Sequence, residues 1–600
     1  MPLEKIPKRH LKIFKEDEIR IEQSSLKKER GTFGEIYFGF INDSNIPIAL
    51  KRYQEDYSEQ ILDKDVIKEI IMLQLFNQYP ETNTVQFYGI YISDNKEDVY
   101  LVLERLETTL HNVSVRVKND DTKNRGRLNA EQYKIIFYKL LKSINAIHSL
   151  GFLHNDIKLP NIMLNGNDIK LIDFGLSKFI GLSPISNVVR EYNTTSIIKA
   201  PDNRISFSTD MFSLASSMVH LCLRYYSNIH VLKDKIYDTD DNTLLSDYLS
   251  GVTKFGPDGH NLLLKLLDTN VEQRWCANKA LLHPYFSSLH LIENVSIDRT
   301  VVGMAGGLTG LKYHTEYIER IYAQKSLELC YFEEMFNNYK DMICPIKQIT
   351  TDINEYHTLI DWMIEKCNDG WPDTNRIFIG IDVIINGIIL TNNNISSHLT
   401  SRKPKIPPVI HPSFLYALFN MILYHDITVD KRPGFEYLLQ DTMSEEEISE
   451  LFYQYLIDIN IDFYPISILI SYIYLQLAHE LKTINSNSTF TYLFFRKTLQ
   501  FDKKFFIDLC VQIIIWFIQP VPFQKDIFIW DIVVFSTIKL LSTILITPHR
   551  ILIEKPIIPV LTMDLEKYEE MLSYYKAQYK SINFDKYPLY NAYFNKPLFT

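Results

Sequence analysis

The sequence predicts an α+β fold of two lobes, the first strand-rich and the second helical, followed by an all-α region. Three observations predict it. The first ~110 of the 600 residues run as short β-branched and aromatic stretches broken by polar turns, with one helical patch at 63–78. From Asn129 to Phe286 apolar residues recur at helical spacing, with strand-like pieces at 162–164 and 169–172. A glycine-containing stretch, VVGMAGGLTG at 301–310, then punctuates the chain, and beyond it apolar helical runs are separated by NNNIS, KPKIPP and NSNS. These shifts divide the chain into 1–290, a linker at 291–312, helical regions at 313–465 and 466–550, and a charged helix with an aromatic tail at 551–600. No solenoid-type repeat is visible.

Composition excludes several classes. Apolar residues at 46% are ample for buried cores and exclude wholesale disorder. With 63 Lys and Arg against 73 Asp and Glu, the net charge of −10 argues against a nucleic-acid or anionic-membrane partner. The six cysteines form no C-x-x-C pair and read as free thiols in a reducing compartment. The opening MPLEKIPKRHLK lacks the apolar core of a secretory signal. The greasiest stretch, 527–546, carries Asp531 and Lys539, which would be costly in hydrocarbon, so it reads as a buried helix.

Gly31 and Gly34 stand between two strand-like runs, in Glu29-Arg30-Gly31-Thr32-Phe33-Gly34-Glu35. Glycines three apart let backbone N–H groups approach a polyphosphate, and they equally suit a β-hairpin turn. Lys51 ends the apolar run Ile48-Ala49-Leu50, and alone it would be a surface lysine. Glu69 follows 18 residues later in the helical patch, and then come His154-Asn155-Asp156-Ile157-Lys158-Leu159-Pro160-Asn161 and Asp173-Phe174-Gly175.

In that order these residues resemble a protein kinase: a strand lysine, a helix glutamate, a catalytic loop and a metal-binding aspartate. Ala200-Pro201-Asp202, Asp210-Met211-Phe212-Ser213, Arg274 and His283-Pro284 extend the resemblance over residues 20–290. It implies a two-lobed kinase fold and ATP with Mg²⁺ as cofactors. It assigns Gly31, Gly34, Ala49 and Lys51 to the nucleotide, Glu69 to holding Lys51, and Asn161 and Asp173 to the metal. Asp156 would orient the substrate hydroxyl, and Lys158 resembles the lysine of Ser/Thr-directed kinases. Leu103 would be the gatekeeper, with the Glu104 and Leu106 backbones offered to adenine. Three departures stand out. Glu29 replaces the first glycine of the loop, Leu159-Pro160 transposes a proline, and Asn155 replaces the arginine that pairs with an activation-loop phosphate. Activity independent of that phosphate is therefore expected. Thr195 fits the residue that bridges Asp156 and Lys158.

Within the family, Asp65-Val66-Ile67-Lys68-Glu69-Ile70 and Val99-Tyr100-Leu101-Val102-Leu103-Glu104 resemble the cyclin-dependent group, with Phe33 at the site of an inhibitory tyrosine. Segments from Tyr356 to Pro465 resemble the helices of a cyclin box, and the resemblance implies a kinase activated by its own cyclin-like domain. The spacer from Phe286 to Tyr313, 27 positions, spans on the order of 30 Å if flexible, enough for docking in cis. Two other readings remain: a helical substrate-docking module, or an inactive scaffold that recruits host proteins. Composition and the fusion point to a large DNA virus, which would place the protein in host cytoplasm or virion, with the nucleus still open. Protein substrates bearing Ser or Thr are the expected partners.

Overall fold

The computed structural model describes residues 12–22, 29–31, 34–52, 64–93, 99–119, 128–166, 168–179, 185–189, 200, 204–222, 249 and 253–292, with isolated positions between 329 and 573. The chain divides into two compact units, Met1–Tyr331 with Leu439–Ile461, and Phe332–Leu438 with Asp462–Thr600. The described elements lie in the first unit.

Its leading part is a seven-stranded sheet. Strands β1 (Ile13–Phe14), β2 (Ile19–Ile21), β3 (Glu29–Gly31), β4 (Gly34–Ile41) and β5 (Ile46–Arg52) precede helix α1 (Lys64–Phe76), and β6 (Phe87–Ile92) and β7 (Val99–Glu104) follow it. The order is β1-β6-β7-β5-β4-β2, with β3 paired to β4. Alternation along β5 puts Ile48 and Leu50 into a core with Phe14, Ile19, Tyr37, Ile41, Tyr91 and Val102. Gly89 has φ 148°, and a Cβ there would stand 2.1 Å from the Lys12 carbonyl oxygen, so only glycine lets β1 close on β6. Helix α1 buries Val66, Glu69, Ile70, Leu73 and Phe76 at helical spacing, and Ile71, Met72 and Leu75 beside them, so its second half is enclosed on most sides.

After β8 (Thr108–Thr109), helices take over: α2 (Leu110–Asn119) and α3 (Ala130–Ser149). The strand-like reading of the first ~110 residues stops on time, and α2 falls in the stretch before Asn129 to which the sequence reading assigns no element. Val113, Val115 and Val117 alternate with polar residues as in a strand. Thr109 overrides that pattern, because its Oγ1 accepts the Asn112 N–H at 3.1 Å and caps the first turn. Asn129 and Gln132 form a reciprocal capping box at the start of α3. Strand β9 (Phe152–Leu153), the hairpin β10 (Ile162–Asn165) and β11 (Asp168–Leu171), and β12 (Lys178–Phe179) follow. They carry the loops of the candidate site. A further pair, β13 (Ile185–Val189) and β14 (Arg204–Ser206), precedes α4 (Phe207–Cys222); the sequence reading has no strands there.

The rest of this lobe comprises α5 (Gly256–Leu266), α6 (Ala277–Leu281) and α7 (Ser287–Ile292). Phe137 of α3 is ringed by Phe255, Tyr285 and Phe286 at 5.9–6.5 Å between centroids. Arg274 is fully buried and donates to the Asp268 and Ser208 carbonyls at 2.8 and 3.0 Å, tying the lobe to α4. Cys222 and Cys276 are free thiols, and burial pushes Cys222 up to about 12. The other four cysteines, Thr32, Phe33, Thr195, Pro201 and Asp202 lie outside the described residues. So do the cyclin-like segments from Tyr356 to Pro465, the 527–546 stretch and nearly all of 291–600. Among the described residues no helix is long and apolar enough to cross a membrane.

Tyr331 belongs to the first unit although it lies well past α7. It is buried, with its ring 4.8 Å from Phe207 at the start of α4 and 6.3 Å from His148 of α3. Tyr331→Ala should cost this unit about 3 kcal/mol, the usual scale for emptying a buried aromatic site, and lower its melting midpoint by several degrees. Calorimetry checks this; an unchanged midpoint would mean the ring contributes no packing.

Candidate active site

The site is assembled from one strand, one helix and two loops. Lys51, on β5, sends its ammonium to both carboxylate oxygens of Glu69 on α1, each at 2.9 Å. The same Nζ lies 2.9 Å from Oδ1 of Asp173, in the turn after β11. Burial would lower the lysine pKa, but the two carboxylates outweigh it and hold the ammonium above its ordinary value. Burial and the neighbouring Asp173 lift the Glu69 carboxyl above the usual range, against the pull of Lys51. Both values rise, the lysine's because it faces two carboxylates and that of Glu69 because burial and Asp173 outweigh its share of one ammonium.

The second cluster lies on the loop after β9. Asp156 is 3% exposed; its Oδ2 accepts from Lys158 Nζ at 2.8 Å and from Asn161 Nδ2 at 2.8 Å. Asn161 also donates to the Asp156 carbonyl at 3.0 Å, which closes the loop on itself. Oδ1 of Asp156 is buried and has no hydrogen-bond partner among the described residues. A lone acceptor held in a fixed carboxylate is unusual, because buried oxygens are nearly always paired.

Asp210, on α4, fixes this loop from behind. Its oxygens accept the His154 N–H at 2.7 Å, the Asn155 N–H at 2.8 Å and His148 Nε2 at 3.0 Å. Burial would raise the Asp210 carboxyl, but these bonds and the histidines outweigh it and hold the pKa below the ordinary value. His154 donates from Nε2 to the Ile172 carbonyl at 3.2 Å, and its Nδ1 accepts the Asp156 N–H at 3.3 Å. The His154 ring lies 4.9 Å from Phe174, which lies 5.1 Å from Phe76 at the end of α1. An aromatic column thus joins the helix to both loops. Asn155 and Asp173 have left-handed backbones, φ 63° and 68°, a region Asn and Asp enter more readily than other side chains.

Gly31 and Gly34 pair at the end of the β3–β4 hairpin. Beside them Glu35 is buried, accepting from Tyr37 Oη at 2.7 Å and Arg52 at 3.3 Å, so the base of the hairpin is held to β5. Ala49 pairs with Leu103 across β5 and β7. Glu104 turns its carboxylate away to Lys170 at 2.6 Å, and the next residues leave the sheet. Leu106 makes no backbone hydrogen bond among the described residues. The structure therefore gathers Lys51, Glu69 and Asp173 in one cluster and Asp156, Lys158 and Asn161 in another, with Gly31, Gly34, Ala49, Glu104 and Leu106 on the sheet and its exit. Three participants were missed from the sequence: His148, Lys170 and Ser177, whose Oγ donates to the His154 carbonyl at 3.1 Å. His148 alone left a trace, as a polar residue in the apolar stripe of Ile144 and Ile147.

The family profile described as "Protein kinase domain" matches residues 29–286. Over those residues the chain is similar to protein kinase domains. Similar proteins include mitogen-activated protein kinase 15 of Xenopus laevis, 27% identical over 298 residues, 44% of this chain and 49% of that protein. Mitogen-activated protein kinase KSS1 of Saccharomyces cerevisiae is 26% identical, over 43% of this chain and 80% of its own. Extracellular signal-regulated kinase 2 of Dictyostelium discoideum is also 26% identical, over 44% and 78%. The chain thus spans about half the length of the frog relative, and the similarity to all three is confined to less than half of this chain. All three are mitogen-activated or signal-regulated kinases, whereas the sequence motifs resemble the cyclin-dependent group.

Lys51→Met leaves Glu69 and Asp173 facing each other without the ammonium they share. At pH 7 this should destabilise the first unit by about 3 kcal/mol. The Glu69 carboxyl, already raised by burial, loses the pull of the lysine and rises further, so its protonation favours the fold and the deficit narrows from pH 7 to pH 5. Urea unfolding at the two pH values reads this; a deficit that widens toward pH 5 would contradict the arrangement.

Proposed function

We propose that the protein is a serine/threonine kinase that transfers the γ-phosphoryl group of ATP to protein hydroxyls. The single observation that carries this is the Asp156 carboxylate, held through Oδ2 by Lys158 and Asn161 while Oδ1 has no partner among the described residues. Oδ1 is the atom to accept a hydrogen bond from the substrate hydroxyl and turn its lone pair toward phosphorus, taking the proton as the new O–P bond forms and the bond from the γ-phosphorus to the bridging oxygen breaks to release ADP. Lys158, already on Asp156, carries the positive charge that would meet the transferring phosphoryl oxygens. Lys51 holds the α- and β-phosphates, oriented by Glu69. Gly31 and Gly34 allow the hairpin backbone to approach the phosphates, and Leu106 offers its free N–H and C=O to the adenine beside Ala49 and Glu104.

The donor set suits Mg²⁺. Asp173 contributes a carboxylate and Asn161 an amide oxygen, its nitrogen being turned to Asp156. Among the described residues no group of three or more His, Cys, Asp or Glu could hold an ion by itself, which fits a cation that keeps water and phosphate ligands. When bound, Mg²⁺ neutralises charge on the β- and γ-phosphates.

For the second half we propose activation in cis by a cyclin-like helical domain. The closed Lys51–Glu69 pair is the arrangement such activation would maintain. Residues 1–290 alone should then turn over slowly and recover when 311–600 is supplied. Recovery with a chain merely extended to residue 335 would instead assign the defect to loss of Tyr331 packing.

Asp156→Asn keeps the shape of the carboxylate but cannot take a proton. Phosphate transfer to a degenerate Ser/Thr peptide library should fall by at least about 10²-fold, with nucleotide binding unchanged. Wild-type protein that binds nucleotide yet transfers no phosphate would favour the scaffold reading.

A further inference from the structure

Position 155 holds an asparagine where the family resemblance expects an arginine, and the structure gives that asparagine a definite partner. Its Nδ2 donates to the Leu176 carbonyl at 3.1 Å. A carbonyl can only accept, so this bond sets which end of the amide faces it. Ser177, fully buried, returns a bond in the opposite direction, from its Oγ to the His154 carbonyl at 3.1 Å. Its N–H closes a turn onto the Phe174 carbonyl at 3.0 Å. The next residues, β12, pair with β9 through Lys178 with Leu153 and Phe179 with Phe152. Leu176 and Ser177 lie three and four residues after Asp173, while His154 and Asn155 immediately precede Asp156. Two reciprocal side-chain bonds and a strand pair therefore bind the segment of one functional aspartate to the loop of the other.

We propose that Asn155 and Ser177 are positioning residues that form an uncharged lock, holding the Asp173 segment in register with the catalytic loop without a phosphate. The consequence for turnover rests on the kinase reading above; the lock itself does not. An arginine here would need an anion to complete it. The Asn155 amide carries no charge, and its nitrogen is committed to Leu176. Its Oδ1, buried and without a partner among the described residues, is an acceptor that repels phosphate oxygens. A phosphoryl group on the following segment gains no cation from this position.

The test uses the full-length protein, with Asn155→Asp, which keeps the shape and loses the donor, and Ser177→Ala, which removes one hydroxyl and leaves the fold least disturbed. Hydrogen exchange of the 172–179 amides should quicken by about tenfold in each, the loss of one buried hydrogen bond. kcat should fall by a similar factor with the KM for ATP within about twofold, since the lock aligns Asp173 and does not bind the nucleotide. The double variant should lose less than the product of the two, because either break frees the same segment. Phosphatase treatment of wild type should change neither exchange nor kcat. Unchanged exchange in both variants, or a wild-type segment loosened by phosphatase, overturns the lock. If wild type transfers no phosphate but the variants still loosen the segment, the lock stands and the kinase reading falls.

Discussion

One ammonium group joins parts of the chain that are 18 and 122 residues from it in sequence. Lys51 is nearly removed from water, and a cation there is tolerable only because Glu69 and Asp173 both reach it. That requirement fixes the rest. Helix α1 must stand inward, the Asp173 turn must approach β5, and the sheet must carry the lysine to its inner face. Moving α1 or the Asp173 turn away would take from the buried ammonium one of its two carboxylates.

Neutral packing supplies what the charges cannot. The Phe76, Phe174 and His154 rings run from α1 through the Asp173 turn to the Asp156 loop, and Phe152 meets Phe76 edge-on at 5.5 Å. The loop is then held through its main chain by Asp210, a residue that touches none of the proposed reactants. Asn161 and Lys158 restrain Asp156 from the open side. Each functional oxygen is thereby placed by groups whose own positions are settled by burial, as a preorganised electrostatic site requires.

Much of this was legible in the sequence because the signals were local. The α1 stripe, the alternation of β5 and the β10–β11 hairpin follow from residue spacing alone. The site residues were legible as an ordered set of motifs, although neither spacing nor order says which oxygens are engaged. What escaped depended on partners far along the chain. Strands β13 and β14 have a bulged register that no period-two pattern announces. Ser177 is an ordinary small residue until the His154 carbonyl is beside it, and Lys170 is an ordinary strand lysine until Glu104 turns toward it.

Tyr331 changes what counts as a portable piece of this protein. The segment recognisable by its motifs stops at Phe286, yet the ring covering Phe207 comes 45 positions later. A genetic exchange that moved only the recognisable segment into another chain would carry an uncovered aromatic face with it. A cut made beyond the tyrosine would keep that face covered, so the boundary drawn by likeness differs from the one drawn by solvent.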